Sequence, residues 1–197
     1  MDLATNQGIK VLRAGASWHG GAHEWSLPTR AGDGAWTPGE WTPAVAPSVC
    51  ERGWHLTTEP ARWWSGDARV TAYLAEWDGA LARQKGDEKF AVERCRLLRE
   101  LTADELAVFG VFVSGTHEVR DGSAWATGRA TVTAYNGARA HAAGQSVATA
   151  CHIGVVVTRA DQGVIVDRRG DTPRTVCKRG GLDGWRYADG EWARVSA

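Results

Sequence analysis

Ala130-Thr131-Val132-Thr133-Ala134-Tyr135-Asn136-Gly137-Ala138-Arg139-Ala140-His141-Ala142 is the stretch on which the fold turns. Ala130, Val132 and Ala134 alternate with Thr131, Thr133 and Tyr135, and Ala138, Ala140 and Ala142 alternate with Arg139 and His141. Alternation with period two marks strands that bury one face. That face carries only small side chains, so the core behind it is thin. Glycines at 128, 137, 144, 154, 163 and 170 lie 9, 7, 10, 9 and 7 positions apart. The 9-then-7 pair occurs twice, from Gly128 to Gly144 and from Gly154 to Gly170. It predicts a repeating coil of that length, each coil holding two short strands and two turns.

Two architectures fit this pattern. In a β-solenoid or β-roll the narrow cross-section admits Ala, Val, Ser and Thr and places Gly at the corners. In an antiparallel meander, Asn136-Gly137 is a favoured two-residue hairpin turn. The repeat spans more of the chain than the one turn does, which favours the solenoid. Trp185-Arg186-Tyr187-Ala188-Asp189-Gly190-Glu191-Trp192 reads as a terminal hairpin, placed to cap the last coil and shield its edge.

Upstream the texture differs. Seven of the eleven tryptophans fall in the first 64 positions, among Pro and Gly, as in Trp36-Thr37-Pro38-Gly39-Glu40-Trp41-Thr42-Pro43. Such a segment cannot be a long helix and reads as turns between short strands, its indoles packing over irregular backbone. Trp36 and Trp41 have ligand stacking as an alternative role. Val70 to Trp77 reads as a strand closed by a turn at Asp78-Gly79. Asp87 to Leu101 fits either a helix or an extended segment. Thr102 and Glu105 form a capping box for a helix over 103–108, and Phe109 to Val113 reads as a strand. The expected fold is an α+β N-terminal domain, 1–118, mostly β with one or two short helices, followed by an Ala/Gly-rich β-repeat region with a terminal hairpin, 119–197.

Gly53-Trp54-His55-Leu56-Thr57-Thr58-Glu59-Pro60 concentrates polar chemistry in a strand that runs into a helix. Trp54 and Leu56 alternate with His55 and Thr57, while Thr58 is placed to cap a helix with Pro60 in its first turn. His55, Thr57 and Thr58 are therefore candidate site residues. Each also has an ordinary structural role, as a satisfied histidine beside Trp rings, a strand residue and a cap.

Charge narrows the function. Lys plus Arg equals Asp plus Glu at 23 each, so no global field recruits nucleic acid or an anionic membrane. The basic run from Arg168 to Arg179 is interrupted by Asp171, with Asp167 just before it, and reads as a solvated face. Cys50, Cys95, Cys151 and Cys177 contain no CxxC pair, which argues for free thiols over zinc or redox motifs. His19 and His23 suit a metal only on a helix, which Gly20-Gly21 opposes. No run approaches the ~18 apolar residues of a membrane span, and the first residues lack a signal-peptide pattern. The expected location is the host-cell cytoplasm or a phage particle.

Gly53-Trp54-His55 with a following proline, Glu76-Trp77-Asp78-Gly79, Asp87-Glu88-Lys89, Arg99-Glu100-Leu101 and Ala126-Thr127-Gly128 together resemble an uncharacterised domain family of phages and bacteria, over roughly residues 10–167. In that family a GFH segment precedes a proline and short Ala/Gly repeats follow; Trp54 stands here at the family's usual Phe. The resemblance implies a phage or prophage context and a two-part layout, with no activity attached. The expectation that follows is a binding or assembly module without a cofactor, forming a homo-oligomer or docking to a larger assembly.

A second resemblance is to the ADP-ribosyltransferases of the Arg, Ser/Thr, Glu class. Lys10-Val11-Leu12-Arg13-Ala14-Gly15 would supply the Arg, His55-Leu56-Thr57-Thr58 the hydroxyl strand, and Glu88 the carboxylate, with Gly86 standing where the family carries Glu or Gln. The implied roles are a cofactor phosphate on Arg13, the nicotinamide ribose on Thr57 or Thr58, and a ribose hydroxyl and oxocarbenium-like charge on Glu88, with NAD as the cofactor.

Overall fold

The chain divides into two compact units, Met1–Trp63 with Arg69–Glu105, and Trp64–Ala68 with Leu106–Ala197. The computed structural model describes residues 2–17, 23–64, 69–83, 88–151, 155–158, 164–168, 174–177, 184–188 and 191–195.

The first unit begins with β1 (Gln7–Arg13), followed by the two-residue strands β2 (Thr29–Arg30) and β3 (Trp36–Thr37), which pair with each other. β4 (Trp54–Thr57), α1 (Pro60–Trp63), β5 (Val70–Arg83) and β6 (Lys89–Glu100) complete its framework. β1, β4, β6 and β5 close, in that order, into a four-stranded barrel in which every pairing is antiparallel. The β1–β4 seam consists of one residue pair, Ile9 with Thr57. Leu12, Leu56, Phe90, Val92, Cys95 and Leu97 pack with Trp25 and Tyr73 as its core.

The ambiguous 87–101 segment takes the extended reading, as β6. Asp78-Gly79 does not end its strand. β5 continues to Arg83, and the register against β6 shifts between Asp78 and Leu81. Gly79, at φ 85, supplies the left-handed residue for a bulge, and the Glu93 carboxylate accepts from the Ala80 N–H at 2.9 Å. The Trp/Pro stretch runs beside β6 without becoming a strand of it. The N–H groups of Gly39, Thr42 and Val45 donate to the carbonyls of Leu97, Cys95 and Glu93, which satisfies backbone that the prolines keep out of regular structure. Trp41 lies under the guanidinium groups of Arg94 and Arg96, and Trp36 under that of Arg30.

α2 (Ala103–Val108) carries the expected capping box. The Thr102 hydroxyl accepts from the Glu105 N–H at 3.3 Å, and the Glu105 carboxylate accepts from the Thr102 N–H at 3.0 Å.

Next come β7 (Val111–Phe112), β8 (Thr116–Val119), β9 (Ser123–Ala126), β10 (Thr131–Ala134), β11 (Arg139–Ala142), β12 (Val147–Ala150), β13 (Val155–Thr158) and β14 (Val164–Asp167). They are followed by β15 (Arg174–Cys177), β16 (Gly184–Ala188) and β17 (Glu191–Val195). Successive strands from β7 to β14 alternate between two sheets, so the neighbour of each strand is the next but one in sequence and runs parallel to it. Thr131 faces Val147 and Arg139 faces Val155, both at the spacing that separates Gly128 from Gly144. The second unit starts at Leu106, earlier than position 119, because β7 and β8 are already members of these sheets.

Parallel pairing over 116–167 excludes the antiparallel meander there. Asn136 and Gly137 do adopt positive φ, at 51 and 83, and the Ala138 N–H donates to the Tyr135 carbonyl across them. The turn joins β10 in one sheet to β11 in the other, so its left-handed pair serves a corner and closes no hairpin. Gly128 is a second corner, at φ 56, where an added Cβ would sit 2.5 Å from the Val113 carbonyl oxygen. Between the sheets lie Ala124, Ala126, Ala130, Val132, Ala134, Ala138, Ala140, Ala142, Ala148, Ala150 and Ile165, all 0–1% exposed. The thin core expected from the alternation is present. β15 pairs antiparallel with β14, and β16 with both β13 and β17, so the C-terminal hairpin forms and lies beside β13.

Candidate functional site

A cavity of about 300 Å³ opens in the first unit, lined by residues of β1, β4 and the start of β6 with the end of α1 and the turn before β4. Gly53 leads into it at φ 89, and a Cβ there would sit 3.0 Å from both Pro47 Cα and the Val92 carbonyl. Any other residue would be strained at that φ and would crowd both neighbours. The cavity's apolar lining includes Ile9, Val11, Trp54 and Trp63, and its polar lining includes Lys10, Lys89, His55, Thr57, Ser17 and Glu51. The His23 ring packs against Trp54 and Trp25, with centroids 4.6 and 5.5 Å apart, and holds that aromatic wall together.

Lys10 is the central charge. Its Nζ donates to the His55 carbonyl at 3.1 Å and lies 4.7 Å from the centre of the Trp25 ring. Burial, reinforced by the charge of Lys89, lowers its pKa to about 8, although the Cys95 sulfur acts in the other direction. Lys89 lies over Trp63 at 4.7 Å. Burial and these two lysines also hold His55 down at about 4, so the ring is neutral at neutral pH. Its Nε2 accepts the Cys50 N–H at 3.0 Å, which leaves the ring proton on Nδ1.

His55 and Thr57 both line the cavity, yet their reactive atoms are already engaged. The Thr57 hydroxyl accepts the Glu59 N–H at 2.9 Å, so the bond that prepares α1 comes from Thr57 and not from Thr58. The Thr58 hydroxyl donates instead to the Glu88 carbonyl, at 3.5 Å. The Glu88 carboxylate takes a 2.8 Å ion pair from Arg62, just ahead of a strand start where a helix N-terminus is one sequence reading. Arg13 stands exposed at the far end of β1, opposite Val70, whereas Thr57 is opposite Ile9. Four strand residues separate those positions, about 13 Å at ~3.3 Å per residue. Arg13, Thr58 and Glu88 are not among the residues lining the cavity. The transferase set is thus not brought together there.

The sequence reading missed Lys10 and Lys89. The available signal was Lys10 between Ile9 and Val11 in an apolar strand, on the same alternation face as Leu12. Among the described residues no group of three or more His, Cys, Asp or Glu is placed to hold a metal, and His19 lies outside them. Cys50, Cys95 and Cys151 are free thiols, with burial pushing Cys95 up to about 12. No described helix is long and apolar enough to cross a membrane. Comparison with family models, with curated proteins and with solved structures finds no match.

Proposed function

We propose that this protein is a non-catalytic binding module whose barrel unit takes a small ligand in the Lys10 cavity. One observation carries the reading: the cavity has aromatic walls and a charged floor, but its His55 and Thr57 already spend their catalytic atoms on backbone N–H groups. A general base needs a lone pair free to take a proton, and a nucleophile needs a base within reach. Neither condition is met at those two residues. The volume lies at the lower end of the ~300–1,000 Å³ range of small-molecule sites. The NAD-transferase alternative draws no support from the placement of Arg13, Thr57 and Glu88.

The strands from 116 to 167 form, on this reading, a short β-solenoid that serves as the docking part of the module. The parallel pairing of next-but-one strands, 16 residues apart in three of the six pairs, and the alanine core support that assignment. The phage or prophage context rests on the sequence resemblance. Antiparallel strands beyond β13 and β14 interrupt the parallel repeat, which disfavours end-to-end stacking of copies.

The test is a small-molecule screen read by the indole N–H resonances in NMR spectra. Ligands are expected to move the Trp54 and Trp63 signals while those of Trp36 and Trp41 stay in place. A broad screen in which neither Trp54 nor Trp63 responds rules the site out.

A further inference from the structure

We propose that the barrel cavity is selective for a small anion carrying a flat ring, with the anionic group held at Lys10 and the ring between the indoles of Trp54 and Trp63. The proposal rests on the reading of this cavity as a ligand site and names the chemistry of its occupant.

The charge of Lys10 is uncompensated. Among the described residues no carboxylate lies within 4.0 Å of its Nζ, and its one protein acceptor is a neutral carbonyl, that of His55. An ammonium carries three donors, so beyond the His55 carbonyl, and with the Trp25 ring as its other neighbour, donor capacity remains for a ligand. Removing an ion from water without a partner is costly, and a carboxylate or phosphate oxygen in the cavity would supply the missing half of the pair. The neighbouring groups point the same way. Lys89 adds a second positive charge to the lining, and His55 offers none, its Nε2 being committed to the Cys50 N–H. Glu51 is the one carboxylate of the lining; it is exposed and accepts the Ser48 hydroxyl at 3.0 Å, so solvent and that bond weaken its opposition. A cationic ligand would meet two lysines.

The apolar part of the occupant follows from the walls. Trp54 and Trp63 are the indoles of the lining, and Ile9, Val11 and Leu56 are its aliphatic residues. Indole walls favour planar, polarisable ligands, and the volume suits one or two fused rings.

Four naphthalene probes, identical except for the head group, separate the possibilities when titrated calorimetrically into the full chain at pH 7: 2-naphthoate, 2-naphthyl phosphate, 2-naphthamide and 2-naphthylmethylammonium. At least one anion is expected to bind tenfold or more tightly than the amide, and the ammonium to bind weakest. The stronger anion identifies the head group as carboxylate or phosphate. Lys10→Met is expected to remove the preference for the anion while retaining the amide. Lys10→Arg, which keeps the charge, is expected to restore part of the preference and reports on whether the variants remain folded. Equal binding of all four probes overturns the anion inference and leaves the ligand site standing. An anion preference that survives in Lys10→Met overturns the role of Lys10. Failure of every probe to bind, with Trp54 and Trp63 also silent in the screen described above, removes the site itself.

Discussion

Lys10 shows how one residue can act against the stability of the fold that carries it. Its ammonium sits beside a second lysine, in surroundings that lower its pKa to about 8 from 10.5. Below pH 8 both the folded and unfolded chains carry the proton, so the whole cost of burying the charge falls on the folded state. Lys10→Met keeps most of the aliphatic stem and discards the charge. It is expected to raise the stability of the barrel unit by about 1–2 kcal/mol at pH 7, as replacing buried ions by apolar groups commonly does. Urea denaturation followed by tryptophan fluorescence measures it, and a variant less stable than the parent would show that the ammonium is structurally satisfied. A residue that destabilises its fold while enabling binding is the usual trade at a functional site.

At the scale of elements, α2 offers a clean pH experiment. Hydrogen bonds from the Arg99 guanidinium, 2.6–2.7 Å long, together with the Thr102 backbone and hydroxyl, hold Glu105 at about 2. The folded chain keeps this carboxylate charged down to that pH, while the unfolded chain takes up its proton near 4.5. The contribution is therefore complete above pH 4.5 and is lost as the pH falls towards 2. Glu105→Gln is expected to lower stability at pH 7 and to flatten the acid limb between those values. Parallel limbs for the two proteins, in urea midpoints measured from pH 7 to pH 2, would refute the assignment. This cap was legible in the sequence because a capping box is local, needing only residues three apart. The alanine alternation was legible for the same reason, since period two writes the buried face directly into the chain. Asp78-Gly79 was not, because a bulge and a turn ask for the same left-handed glycine and differ only in what lies across the strand. Asn136-Gly137 is similar: its left-handed conformation was foreseen, but the choice between a corner, which the repeat favoured, and a hairpin belongs to pairings a whole repeat away. The cavity was half legible. His55 and Thr57 stood out by residue type, whereas for Lys10 the sequence held only the weaker signal of a lysine on the Leu12 face of an apolar strand, a face that the barrel turns inward.

For the whole molecule, the ends of the repeat region matter most. A stack of parallel strands offers its last pair as a template for further strands, and β15 and β16 occupy those positions in antiparallel sense. The intact chain is expected to be monomeric across a wide concentration range by light scattering, in contrast to the self-association suggested by its sequence. Removing residues 184–197 exposes the edge of β13 and is expected to produce association that grows with concentration. A truncated chain that stays monodisperse would show that the hairpin guards nothing. The parallel pairing of next-but-one strands has one more consequence. Neighbouring strands of a sheet lie about 4.7–4.9 Å apart, so each added strand widens its sheet by one step of that size, whether 14, 15, 16 or 17 residues separate the partners. The connections between strands absorb differences of a residue or two in spacing, whereas an odd insertion within a strand would turn its inner face outward. Length can therefore change at the connections while the alanine faces of the strands stay inside.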